Sequence, residues 1–262
     1  MGFFKTLWNN RKLAITLGKS NFKNRFANTS LGTIWGFAQP FVFMVTYVIV
    51  FQYILKSRSS GEAPYVVWFL PGMAMWMFCN DAILNASNSI RGYSYLVKKV
   101  VFPVDIIPIM SLTSSSIIGL FLIVIAIGAG CIYGYIPNFA IVIYVIFSTL
   151  CFIIAFTRFT SALTTLVPDF AQLLNIVMQL FMWFTPIVWN MDMVGGKIGS
   201  IMKMFPFTYI VEGFRQAFLP SSTIITEQYG LYTVIFWLVT IVIFAWGNAV
   251  FNKSKKEFAD VL

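Results

Sequence analysis

Apolar residues in this chain fall into six blocks separated by short polar or proline-containing breaks, over 34–55, 65–88, 106–131, 139–163, 170–189 and 231–251. A helix needs about 20 mostly apolar residues to cross the hydrocarbon core of a bilayer, and each block is close to that length. The pattern predicts an all-α integral membrane protein with six transmembrane helices. Gly134 and Pro137 mark a tight turn between the third and fourth blocks, and Val167-Pro168-Asp169 separates the fourth from the fifth.

The stretch 190–230 is the one long segment outside these blocks, and it is far from hydrophilic: Met191, Met193, Ile198, Ile201, Met202, Phe205, Phe207 and Phe214 punctuate it. Non-spanning backbone at membrane depth is tolerated only where protein buries it or it lines a cavity. The segment therefore reads as short re-entrant or interfacial external helices between spans 5 and 6, broken near Pro206 and Pro220. An ordinary amphipathic surface loop is the competing reading. At the other end, Lys5, Arg11, Lys12, Lys19, Lys23 and Arg25 interleave with Phe3, Phe4, Leu7, Trp8, Leu13, Ile15 and Phe22. That is the pattern of an amphipathic helix on an anionic membrane surface, with a plain basic leader as the alternative. It lacks the compact apolar core and small-residue cleavage site of a secretory signal. The chain thus reads as a single membrane domain over 1–262. It comprises an interfacial helix (1–30), spans 1–5 (34–189), an external region (190–230), span 6 (231–252) and a tail (253–262).

Composition excludes a soluble fold. The 262 residues are 59% hydrophobic and 10% charged, whereas soluble domains average about 25% charged residues. The net charge of +9 does not form one basic stripe but is spread between apolar blocks, which points to topology rather than nucleic acid. Of the 18 Lys and Arg residues, 13 fall on the side of the N-terminus and 5 (Lys56, Arg58, Lys197, Lys203 and Arg215) on the other. The positive-inside rule then makes both termini cytoplasmic. Arg158 lies 19 residues after Phe139, a rise of about 28 Å that carries it to the cytoplasmic interface.

Candidate chemistry is sparse. Cys79, Cys131 and Cys151 fall inside apolar blocks, and there is no histidine, so neither a disulfide framework nor a metal site is implied. Gly18-Lys19-Ser20 imitates the end of a phosphate loop, but Leu13 stands where the earlier glycine belongs. The chain has no nucleotide site and no enzyme signature; any ATP must be bound elsewhere. Asp81, Asn85 and Asn88 share one face of the second span. An acid inside a span faces a bundle interior or a watery cavity, which leaves Asp81 as a functional residue or an interhelical staple. Ser111, Ser115 and Gly119 form a small-residue stripe suited to close packing. Phe43, Tyr47 and Phe51 line one face of the first span, and Phe181, Trp183, Phe184 and Trp189 crowd the fifth. These are lipid-facing belts or, with Trp76, walls of a sugar-conducting channel. Finally, the connection Arg91–Pro103 mixes Tyr95, Leu96, Val97, Val100 and Phe102 with Lys98 and Lys99. Apolar residues outside the bilayer suggest docking into a partner's groove, or packing beneath the bundle.

Several of these segments resemble the permease subunits of type-2 ABC polysaccharide exporters, the O-antigen, teichoic-acid and capsule family. The likeness is carried by Asn28–Trp35 with Pro40, by Lys98-Lys99-Val100-Val101-Phe102-Pro103, by Phe184-Thr185-Pro186-Ile187-Val188-Trp189, and by Phe207–Arg215. It runs through nearly the whole chain in order. The resemblance implies a homodimeric pore docked to two ABC ATPase subunits, with ATP and Mg on those partners and no cofactor in this chain. It implies a coupling helix at Tyr95, Leu96, Val97, Lys98, Lys99, Val100, Phe102 and Pro103, and an external gate around Pro206, Tyr209, Glu212 and Arg215. Lys19, Lys23 and Arg25 would meet the pyrophosphate of an undecaprenyl-linked glycan, and Tyr47, Phe51, Trp76, Asp81, Phe181 and Phe184 would line the channel. One departure stands out: the family's Arg-Asp pair between spans four and five is replaced by Pro168-Asp169, for which Arg158 is the nearest substitute cation. A drug or small-lipid permease is the alternative within the superfamily. An ion-coupled transporter would be expected to carry more intramembrane charge and internal repeats.

Overall fold

The computed structural model describes residues 3–56, 63–99, 102–194, 196–219 and 223–262, and among these every regular element is helical. Two helices, α1 (Phe3–Asn9) and α2 (Arg11–Arg25), precede the bundle. The first span runs over Gly32–Ile54, as a 3-10 turn, the helix α3 (Trp35–Val48) and a wider π-helical end (Ile49–Ile54). Then come α4 (Tyr65–Gly92), the short α5 (Ser94–Lys99), α6 (Ile106–Ile132), α7 (Phe139–Leu166) and α8 (Asp169–Phe184). The chain closes with α9 (Gly196–Lys203), α10 (Pro206–Gln216), α11 (Leu231–Ser254) and α12 (Phe258–Val261).

Five elements, Gly32–Ile54, α4, α6, α7 and α11, are long and apolar enough to cross a membrane. The block at 170–189 forms a shorter helix than its composition predicts. α8 has 16 residues, a rise of about 24 Å against a hydrocarbon core near 30 Å. Its end has a local cause: Pro186 disfavours helical backbone at the residue before it, and Thr185 is extended (φ −81°, ψ 135°). At the turn before α7, Asn138 caps the helix by accepting from the Ala140 and Ile141 amides, while Gly134 takes the left-handed φ of +83°.

α4 is the central post. In its most apolar stretch 83% of residues are buried, against 11% for the first span. Close approach to its neighbours is permitted by small residues: a Cβ at Gly119 of α6 would overlap the ring of Phe78. The stripe on α6 therefore packs as expected, with Ser115 accepting from Asn85 (3.1 Å) and Ser111 from Asn21 of α2 (3.1 Å). α2 turns Ala14, Gly18, Asn21 and Phe22 inward, with Gly18 pressed on Thr113 of α6, while its Leu13 and Ile15, and Phe4 and Trp8 of α1, remain exposed. Small residues make the tight joint with α6.

Candidate functional site

One large hollow, about 660 Å³, opens beside α4 between the end of α2, α3, α6 and α8. Its apolar walls include Trp35, Phe43, Tyr47, Met73, Trp76 and Met182, and its polar lining is Arg25, Gln39, Asn80, Asp81, Asn85 and Asn88. The face of α4 read from sequence is thus the polar floor of a groove. Within it Arg25 grips Asp81 in a fork, Nη1 to Oδ2 at 3.1 Å and Nη2 to Oδ1 at 2.7 Å. Both side chains keep just over a quarter of their surface exposed.

Of the cations placed at a lipid pyrophosphate, only Arg25 lines the groove; Lys19 and Lys23 lie exposed on α2. Of the six residues assigned to a channel, Tyr47, Trp76 and Asp81 line it together. Phe51 belongs to a stack with Tyr47 (6.1 Å) and Tyr65 (6.1 Å), continuing through Tyr65 to Phe69 (5.5 Å). Phe181 and Phe184 line a separate apolar hollow of about 410 Å³ with Met202, Phe205 and Pro206.

At one end of the bundle the termini of α4, α7 and α11 meet the start of α6, and a second apolar cluster forms there around Ile90, Ile107, Ala162, Phe251 and Phe258. The segment expected to expose its apolar residues is only partly free. Tyr95 and Lys98 are exposed and Leu96 and Pro103 are half-buried, but Val97 and Phe102 pack against this cluster. Packing beneath the bundle therefore accounts for those two residues. Lys99 ends α5, and Val100 lies outside the described residues, as does Pro220.

The same end holds a charge cluster that the sequence did not single out. Asp105, just before α6, accepts from Arg158 Nη2 (3.1 Å) and Lys255 Nζ (2.5 Å). The Arg158 guanidinium is sandwiched between Phe3 and Phe251, 4.3 Å from each ring. Burial pushes the Asp105 carboxyl up, but Lys255 and Arg158 outweigh it and hold the group below its ordinary value. Arg158 thus finds its acid in Asp105 and not in Asp169, which is exposed at the start of α8, where its charge suits the helix dipole.

The opposite end carries α10. Pro206 opens that helix. Tyr209 is buried in a hydrogen-bonded chain: Trp237 Nε1 donates to Tyr144 (3.0 Å), whose hydroxyl meets Tyr209 (2.9 Å), which meets Thr233 (2.9 Å), which donates to the Ile225 carbonyl (2.9 Å). Arg215, counted above on the side away from the N-terminus, is fully buried. It donates to the carbonyls of Trp68 (2.9 Å), Pro186 (2.5 Å) and Ile187 (2.7 Å) and to Glu212 (2.6 Å). Four acceptors around one guanidinium lock α10, α4 and the segment after α8 together.

Residues 12–219, well over half of the chain, match the ABC-2 type transporter family. An O-antigen export system permease protein of Klebsiella pneumoniae is 23% identical over 253 residues, and a second from the same organism is 22% identical over the same length. Each alignment covers 95% of both chains. A Myxococcus xanthus protein of the same name is 19% identical over 264 residues, with 98% of this chain and 97% of the relative covered.

Proposed function

Because the chain belongs to the ABC-2 type transporter family, we propose that it is the membrane-spanning subunit of an ATP-driven polysaccharide exporter. Its substrate is an undecaprenyl-linked glycan of O-antigen or teichoic-acid type, moved from the cytoplasmic side to the outer face. The observation that carries this reading is the groove: one guanidinium beside a row of amides and aromatic rings, open between α3 and α8. A diphosphate-linked sugar needs those three chemistries, a forked cation for phosphate oxygens, amides for hydroxyls and ring faces for pyranose C–H surfaces.

Topology and assembly follow on the same reading. α8 and the turns of 185–189 behind it make the fifth of six spans, so both termini are cytoplasmic and α9–α10 form an external, partly re-entrant hairpin. The first span leaves Phe41, Val42, Val45 and Ile49 uncovered beside the groove; a second copy of the chain covers them and completes the channel. α5, with exposed Tyr95 and Lys98, receives one of two ABC ATPase subunits, which carry the ATP and Mg.

The test is reconstitution of the chain with its cognate ATPase in proteoliposomes loaded with a fluorescent polyprenyl-diphosphate oligosaccharide. ATP should drive the label to the trans face, and a Walker-site mutant of the ATPase should abolish that. ATP-driven movement of unrelated drugs, with the glycolipid left in place, would overturn the proposal.

A further inference from the structure

We infer that Asp81 is a specificity residue that keeps Arg25 from binding the ordinary anionic lipids of the membrane and yields it only to a diphosphate. This rests on the proposed glycolipid substrate and concerns the same groove.

Among the described residues lining the hollow Arg25 is the one cation, and both of its outer nitrogens are engaged by Asp81 across 56 residues of sequence. An ion pair this exposed holds a fold together weakly. Its position matters more. Arg25 ends α2, whose Leu13 and Ile15 are exposed, as are Phe4 and Trp8 of the preceding α1; helices with bulky apolar residues outward beside lysines suit a membrane surface, with the guanidinium at headgroup depth. Phospholipids there outnumber any glycolipid substrate. A bare arginine at that depth would be occupied by phosphodiester headgroups, because the guanidinium fork matches a phosphate as well as a carboxylate.

A carboxylate tethered within 3 Å competes at high effective concentration and removes that option. Phosphatidylglycerol offers a single negative charge and does not displace it. A diphosphate diester carries a charge on each phosphorus, so one phosphate can take the fork while the other meets the amide N–H groups of Asn80 and Asn88 in the same groove. Discrimination arises from the repulsive partner as much as from the attractive one. Asp81 undergoes no chemistry; it is exchanged for the ligand and returns when the ligand leaves.

The experiment measures lipid binding to the purified permease–ATPase complex in nanodiscs. Native mass spectrometry reads competition between undecaprenyl diphosphate and phosphatidylglycerol. Wild type should prefer the diphosphate. Asp81→Asn should bind phosphatidylglycerol on the order of tenfold more tightly, as one charge-assisted contact requires, and lose most of the preference. Asp81→Ser should behave alike, and Arg25→Gln should bind neither lipid at this site. A staple would show the opposite: weaker binding of both lipids and a lower melting temperature. If wild type prefers the diphosphate and Asp81→Asn keeps that preference, the specificity role is wrong while the substrate reading stands. If wild type shows no preference at all, the substrate reading fails first.

Discussion

The guanidinium of Arg215 lies 3.7 Å from the centroid of the Trp68 ring and donates through Nε to the carbonyl of that same residue. Stacking and hydrogen bonding on a single tryptophan hold the charge against α4, and Gly72, one turn on, leaves the space it occupies. A Cβ at Gly72 would stand 2.7 Å from Nη2 and 2.9 Å from Cζ. Gly72→Ala is expected to expel the guanidinium and lower stability by about 3 kcal/mol, the scale of breaking a buried charge network. In an Arg215→Ala background the same substitution should cost far less. Thermal unfolding of the four proteins in detergent checks this, and simple additivity would refute it.

Asp105→Asn should leave Arg158 buried without its counter-charge and cost about 3–5 kcal/mol. The carboxyl is depressed in the fold, so its contribution is complete above the ordinary aspartate value of about 3.9 and is lost as pH falls through the lower folded value. The stability gap between wild type and variant should stay constant from about pH 8 to 5 and narrow only below about pH 4. Narrowing already between neutral pH and 5 would mean that Asp105 is not held low.

Tyr209→Phe removes a hydroxyl that bonds both Tyr144 and Thr233. The expected loss is about 1–2 kcal/mol, with Tyr144→Phe similar and the double variant clearly less than additive. Equal and independent losses would show that the hydroxyls act singly.

Lys98 and Phe102 should separate docking from packing. Lys98 is exposed and Phe102 rests on the cluster below the bundle. Lys98→Glu is expected to reduce co-purification of the ATPase severalfold at unchanged melting temperature, whereas Phe102→Ala should lower the melting temperature. If Lys98→Glu leaves the complex intact, α5 is not the docking element.

The groove aromatics divide in the same way. Trp76 is 4% exposed and meets Phe207 edge-on at 5.5 Å, so Trp76→Ala should cost about 3–5 kcal/mol and lower protein abundance. Tyr47 is half-buried on the groove wall. Tyr47→Ala should depress export while abundance in the membrane stays near wild type. A parallel fall in both would make Tyr47 a packing residue.

The spans were legible because bilayer thickness sets a length that composition reports directly; α6, α7 and α11 begin at the residues where their apolar blocks begin. Asp81 stood out because an acid in a span is expensive. Its partner did not, because nothing local relates Arg25 to a residue on another helix. Arg215 was counted by side, but its burial was not legible, because the carbonyls near Pro186 that satisfy it lie 28 and 29 residues away in sequence. Asp105 drew no notice beside the motif it follows, although a lone acid ahead of a long apolar helix was a usable signal.

The hydroxyl chain through Tyr144, Tyr209 and Thr233 begins at an indole N–H, which can only donate, and ends at a peptide carbonyl, which can only accept. Every hydroxyl between them has one permitted orientation. A proton relay must reverse its hydrogen-bond polarity after each passage, and both ends of this chain forbid reversal. With both ends fixed, the three hydroxyls form a one-way donor chain that ties α7, α10 and α11 together.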